Sequence, residues 1–161
     1  MIFNGMIIPR RNYIMKEIEE MIQRLYGTNA NDAYAALKEL LKISEDENVV
    51  YPYLNEFAEM MESDNSYVRT RGLLLISANA KWDVDNKIDE VIDEYLKHIV
   101  DAKPITARQC IKAIPDIVKY KPDLKDLIIE ELSKANPYWY PDTMQPLVRK
   151  DIANVLKEIQ K

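Results

Sequence analysis

The chain has 161 residues, of which 47% are hydrophobic and 30% charged, with a formal net charge of −5; that length fits one domain with a substantial buried core, and the composition is ordinary for a soluble globular protein. It has only three glycines, Gly5, Gly27 and Gly72, well below the usual share of about 7%, which excludes glycine-cradled phosphate loops and favours helices over nucleotide-binding α/β folds. The single cysteine, Cys110, excludes a disulfide framework or a cysteine zinc site within one chain.

The opening stretch MIFNGMII is apolar for only a few residues and has no basic region before it. It is too short for a signal h-region with a cleavage site or for a membrane span. Residues 1–9 are expected to be an arm, flexible or packed along the first helix, with Met6 and Met15 as alternative starts. A cytoplasmic location is expected. Apolar residues at helical spacing, Tyr13, Ile14, Ile18, Met21, Ile22 and Leu25, predict a helix over about 10–26, closed by Gly27. Asn31 or Asp32 can cap a second helix holding Ala33, Ala36, Leu37, Leu40 and Leu41, ended by the charged turn 44–48. Pro52 sits in the first turn of a third, with Leu54, Phe57, Met60 and Met61. Asp64, Asn65 and Ser66 are a turn and cap signal for the most hydrophobic helix, 67–81. Ile88, Val91, Ile92, Tyr95, Leu96 and Ile99 mark a fifth helix, and Pro104 begins a sixth, in which Pro115 should produce a kink. Pro122 starts a seventh, and an eighth follows the Pro/aromatic loop 136–141.

A pattern of Asp, six residues, Arg recurs as Asp64/Arg71, Asp101/Arg108 and Asp142/Arg149, with the arginines 37 and 41 residues apart. An aliphatic residue follows each Arg by three positions: Leu74, Ile111 and Ile152. One period earlier Tyr34 and Leu37 hold the corresponding places. A period of this size predicts stacked helical hairpins, here about 10–44, 45–84, 85–121 and 122–161, in one domain over 10–161.

Asp64 before Val68-Arg69, Asp101 before Ala107-Arg108 and Asp142 before Val148-Arg149 make residues 10–161 resemble a HEAT-repeat or armadillo-like protein. The resemblance implies an all-α fold, a right-handed α-α superhelix of about four hairpins and eight helices. It also implies that the second helix of each hairpin lines a concave face. Arg69 lies two residues from Arg71, and either can hold the family's arginine position.

With that assignment the charge is segregated. The segments containing the second helices (27–44, 65–84, 104–121, 137–161) hold 13 Lys/Arg and 7 Asp/Glu, whereas the remainder holds 9 and 20. A basic inner face over an acidic back would favour an anionic partner. Steps of three and four place Arg108, Lys112, Pro115 and Lys119 on one stripe, with Arg71, Leu75, Ala78 and Trp82 one repeat earlier, and Arg149 with Ala153 one repeat later. Arg71, Trp82, Arg108, Lys112, Lys119 and Arg149 are the candidate binding residues. The repeated Asp and Arg have a second reading, a structural ladder between adjacent hairpins. Tyr138, Trp139 and Tyr140 read either as a groove-rim anchor or as packing that seals hairpin ends. Cys110 is expected to be buried as a small apolar side chain, His98 to be a solvated flank, and the acidic runs to be solvated charge.

The leading expectation is a non-catalytic interaction module that grips an anionic protein or peptide on its concave face, with no cofactor and no metal. The alternative is nucleic-acid binding, including a HEAT-like DNA glycosylase: such enzymes use an aromatic-lined basic groove with a catalytic Asp, and Trp82 with Asp83 invites the comparison although no complete motif matches. A regulatory subunit of an enzyme encoded elsewhere is a third. No membrane association is expected, and self-association through an end hairpin or the opening arm is consistent with so short an array.

Overall fold

The structure, a computed structural model, describes residues 10–161 and the backbone of Ile2–Phe3 and Met6–Ile7, which form β1 and β2, a two-residue antiparallel ladder. The rest of the expected 1–9 arm lies outside the described residues. All other regular structure among the described residues is helical, in eight α-helices. None of them is long and apolar enough to cross a membrane. The chain divides into two compact units, Met1–Pro52 and Tyr53–Lys161.

In the first unit α1 (Arg10–Arg24) packs on α2 (Ala30–Asp46). Ile18, Ile22 and Leu25 of the first hairpin half and Ala33, Ala36, Leu37 and Leu40 of the second are all buried. The N-cap of α2 is Asn29, not Asn31 or Asp32, and its side chain accepts the Asp32 N–H at 3.0 Å. Asp32, one turn inside, accepts Arg24 Nε at 3.0 Å. The helix ends at Asp46, within the charged stretch 44–48, and Ser44 buries its hydroxyl by donating to the Leu40 carbonyl at 2.8 Å.

The second unit holds three hairpins: α3 (Leu54–Met60) with α4 (Ser66–Ala78), α5 (Lys87–Lys97) with α6 (Pro104–Tyr120), and α7 (Lys125–Lys134) with α8 (Gln145–Ile159). Its organising contacts run between second helices, α4 on α6 and α6 on α8, with α3 against α4 and α7 against α8. Tyr95, Phe57, Leu73, Leu75 and Ile76 fill the core between them. Asn65 caps α4 by accepting the Tyr67 and Val68 N–H groups. Pro104 stands in the first turn of α6, where its missing N–H costs nothing, and α6 continues unbroken through Pro115. Gly72 lets α3 approach closely, since a Cβ there would lie 2.7 Å from the Phe57 carbonyl oxygen and 2.8 Å from Met60 Cβ.

Single 3-10 turns replace several expected helix ends, at Tyr51–Tyr53, Ala80–Trp82, His98–Val100 and Pro122–Leu124. The fourth helix therefore stops at Ala78 rather than at 81. Cys110 is fully buried, as expected. Its thiol donates to the Tyr95 carbonyl at 3.7 Å while the Tyr95 hydroxyl donates to the Cys110 carbonyl, and burial pushes the thiol's pKa far above the ordinary range.

Candidate interaction surface

The three second helices of the larger unit have their N-termini at one end. Thr70 in the second turn of α4 hydrogen bonds Thr106 in the first turn of α6, Oγ1 to Oγ1 at 2.9 Å. Arg108 in α6 reaches Asp151 in the second turn of α8, Nε to Oδ2 at 2.6 Å.

Beneath that end lies a buried knot centred on Asp101, whose side chain is only 2% exposed. Arg69 donates to both carboxylate oxygens at 2.8 and 3.0 Å, His98 Nδ1 to Oδ2 at 2.6 Å, and the Lys103 N–H to Oδ1 at 2.8 Å. The same guanidinium donates to the Ser63 and Asp64 carbonyls, and the buried Tyr140 hydroxyl donates to the Asp101 carbonyl. Burial would raise the Asp101 pKa, but the bonds from His98, Arg69 and the Lys103 N–H outweigh it and hold the carboxyl well below the usual carboxylate range. His98 is therefore not the solvated flank its acidic helix suggested; it is tucked against Asp101 and 15% exposed.

A second knot closes the other end of α6. Lys121 Nζ lies 3.1 Å from Asp83 and 2.7 Å from Asp89, and also donates to the Asn86 side-chain oxygen. Asp83 caps α5, its two oxygens accepting the Lys87 and Ile88 N–H groups at 2.9 and 3.0 Å. Asn86, at φ 55°, takes the left-handed conformation that Asn tolerates better than most residues. These side chains border a cleft of about 330 Å³ together with Val84, Tyr120 and Asp123. With its side chain fully buried, Asp83, the residue beside Trp82, is engaged in capping α5 and in the pair with Lys121.

The repeated Asp and Arg are thus not partners of one another. Asp101 bonds Arg69 rather than Arg71, and Arg108 bonds Asp151 rather than a repeated Asp. Adjacent hairpins are tied by Asp/Arg pairs as a ladder requires, with Arg69, the alternative to Arg71, in one pair and the unforeseen Asp151 in the other. Sequence gave one cue for the first, since Val68-Arg69 carries the Val-Arg pair. Nothing in the spacing singled out Asp151, Lys121 or His98.

The six candidate residues divide accordingly. Arg71 is buried, 8% exposed, with its guanidinium 5.9 Å from the centre of the Tyr67 ring, and desolvation lowers its pKa. Arg108 is half-buried and engaged by Asp151. Trp82 is half-buried in its 3-10 turn, with Lys81 Nζ 5.3 Å from the ring centre. Arg149 is exposed but lies against the α7–α8 loop, donating to Asn136 at 3.4 Å. Lys112 and Lys119 stand in solvent on α6 and make no ion pair among the described residues; Lys119 rests beside Tyr120.

Helical register defines the outward face. On α4 the expected Arg71–Leu75 stripe points inward, and the accessible row is Tyr67, Thr70, Leu74 and Ala78. On α6 the row is Ile105, Gln109, Lys112, Asp116 and Lys119. On α8, whose Asp151 faces α6, the adjoining row is Leu147, Lys150 and Asn154. The structured helices sharpen the charge segregation: α4, α6 and α8 together carry five more basic than acidic residues, and α3, α5 and α7 carry five more acidic than basic. No protein-family model matches the chain, and neither a curated protein nor a solved structure does so.

Proposed function

We propose that the chain is a HEAT-like, non-catalytic interaction module that binds an anionic protein or peptide on a concave face formed by α4, α6 and α8. The observation that carries this reading is the split between cations that are used and cations that are free. Arg69, Arg108 and Lys121 are bound to carboxylates within the fold, whereas Lys112, Lys119 and Lys150 project from the second helices with no ion pair among the described residues. Solvated cations on one face attract anionic partners and speed their approach without committing the face to one ligand chemistry. A protein of net charge −5 is poorly suited to the many phosphate contacts that duplex binding needs, which places nucleic acid second.

The test measures binding of fluorescent polyglutamate, polylysine and a DNA duplex to the wild type and to Lys112→Glu/Lys119→Glu across a salt series. Polyglutamate binding that weakens with salt and falls at least tenfold in the double variant is the expected result. Equal binding by both proteins, or preference for DNA, refutes the reading.

A further inference from the structure

The accessible face of α4, α6 and α8 has a polarity of its own along the helix axes. Its N-terminal edge is apolar: Tyr67 is the second residue of α4, Ile105 the second of α6 and Leu147 the third of α8, and they are 70%, 67% and 38% exposed. Each heads its helix's outward row, and the Thr70–Thr106 and Arg108–Asp151 bonds hold the three N-terminal ends side by side, so the three stand at similar height on adjacent helices. Such side chains would gain from burial, and singly they would mean nothing; aligned on three adjacent helices they make a patch. Trp139, 52% exposed, lies just before α8 in a loop pinned by Gln145, whose amide donates to the Tyr138 and Tyr140 carbonyls. Immediately beyond the apolar line come the unpaired cations, Lys150 one turn past Leu147 and Lys112 two turns past Ile105.

We propose that this line is the anchor row for an acidic amphipathic helix of a partner protein, lying across α4, α6 and α8 at their N-terminal ends. The inference rests on the interaction-module reading above and specifies its ligand. Packed helices sit about 8–10 Å apart, so neighbouring anchors recur at roughly that interval. Seven residues of a helix advance about 10.5 Å. A partner helix with apolar residues at i, i+7 and i+14 therefore meets Tyr67, Ile105 and Leu147 in turn. Glu or Asp on the flank facing the C-terminal side of the row would meet Lys112 and Lys150. A second copy of this chain fits less well. Its α5 has an acidic outer side, but Ile88, Ile92, Tyr95 and Leu96 of that helix are buried in the chain's own core and cannot serve as anchors.

The experiment measures fluorescence anisotropy with three synthetic helical peptides of one composition: Leu at i, i+7 and i+14 with Glu on one flank, the same with Lys for Glu, and Glu with the Leu spacing scrambled. The expected result is that the spaced acidic peptide binds at least tenfold more tightly than the other two. Ile105→Asp, at a solvent-exposed position, removes that preference while the circular-dichroism spectrum is unchanged, and Lys112→Glu/Lys150→Glu transfers the preference to the Lys peptide. Equal binding of spaced and scrambled acidic peptides, with Ile105→Asp silent but the lysine variants weakened, overturns the anchor row and leaves the general reading standing. Silence of the lysine variants overturns both. Light scattering that shows a dimer dissolved by Ile105→Asp assigns the row to self-association and overturns the proposal.

Discussion

The two ends of α6 are built as opposites. At its N-terminal end a buried carboxylate, Asp101, is surrounded by donors; at its C-terminal end a buried ammonium, Lys121, is surrounded by acceptors. The Asp101 knot draws on three hairpins, through Arg69, His98 and Tyr140, and two of its bonds form a planar fork with a guanidinium. The Lys121 knot joins α6 to the turn that leads into α5, and its Asp83 keeps two backbone N–H donors of its own. A buried charge is tolerable when its hydrogen bonds are complete. What differs is how much of the fold each charge must organise, and how much compensation survives its removal.

That comparison can be broken at either end. Asp101→Ala takes the carboxylate from Arg69, which keeps only the Ser63 and Asp64 carbonyls, and from His98 and the Lys103 N–H; it should cost about 3–5 kcal/mol, the usual loss when one member of a buried pair is deleted, and urea unfolding followed by circular dichroism measures it. Lys121→Ala should cost less, about 1–3 kcal/mol, because Asp83 retains its capping bonds and Asp89 is part-exposed. A ranking in which Lys121→Ala costs more would reverse the argument. Arg108→Ala comes third at about 1 kcal/mol, since its pair with Asp151 is one-quarter exposed on the arginine side and is discounted for solvent screening. Lys112→Glu should leave stability within about 0.5 kcal/mol, as a solvated position should.

The same opposition gives two pH limbs of opposite sign. Asp101 has its pKa depressed in the folded state, so its contribution is fully present above the ordinary aspartate value near 3.8 and is lost as pH falls below it. For Lys121, burial acts to lower the pKa, but the hydrogen bonds it donates to Asp89 and Asp83 outweigh it and raise the folded value. Its contribution is present below the ordinary lysine value of 10.5 and is lost as pH rises through the folded one. The urea midpoint should therefore decline at both extremes. Asp101→Ala should flatten the acid limb alone and Lys121→Ala the alkaline limb alone, and a variant that flattens the wrong limb would sink the assignment.

The amino-acid sequence by itself determined the helical class, the Asn65 cap of α4, the Pro104 start of α6 and the burial of Cys110. Each follows from local causes: apolar spacing of three and four, Asn65 at a cap, Pro104 in a first turn, and a small side chain between Ala107 and Ile114. It also announced the charge division between first and second helices, since composition along the chain needs no coordinates. Only the tertiary structure decided which charges are spent. Asp151 is 43 residues from Arg108, and Lys121 is 38 and 32 residues from its two carboxylates; such pairings depend on how neighbouring helices rotate about their axes. A rotation of one residue turned Arg71 and Leu75 inward and brought Tyr67 and Leu74 out. Periodicity fixes that residues three and four apart share a face, but packing against the next helix chooses which face is buried.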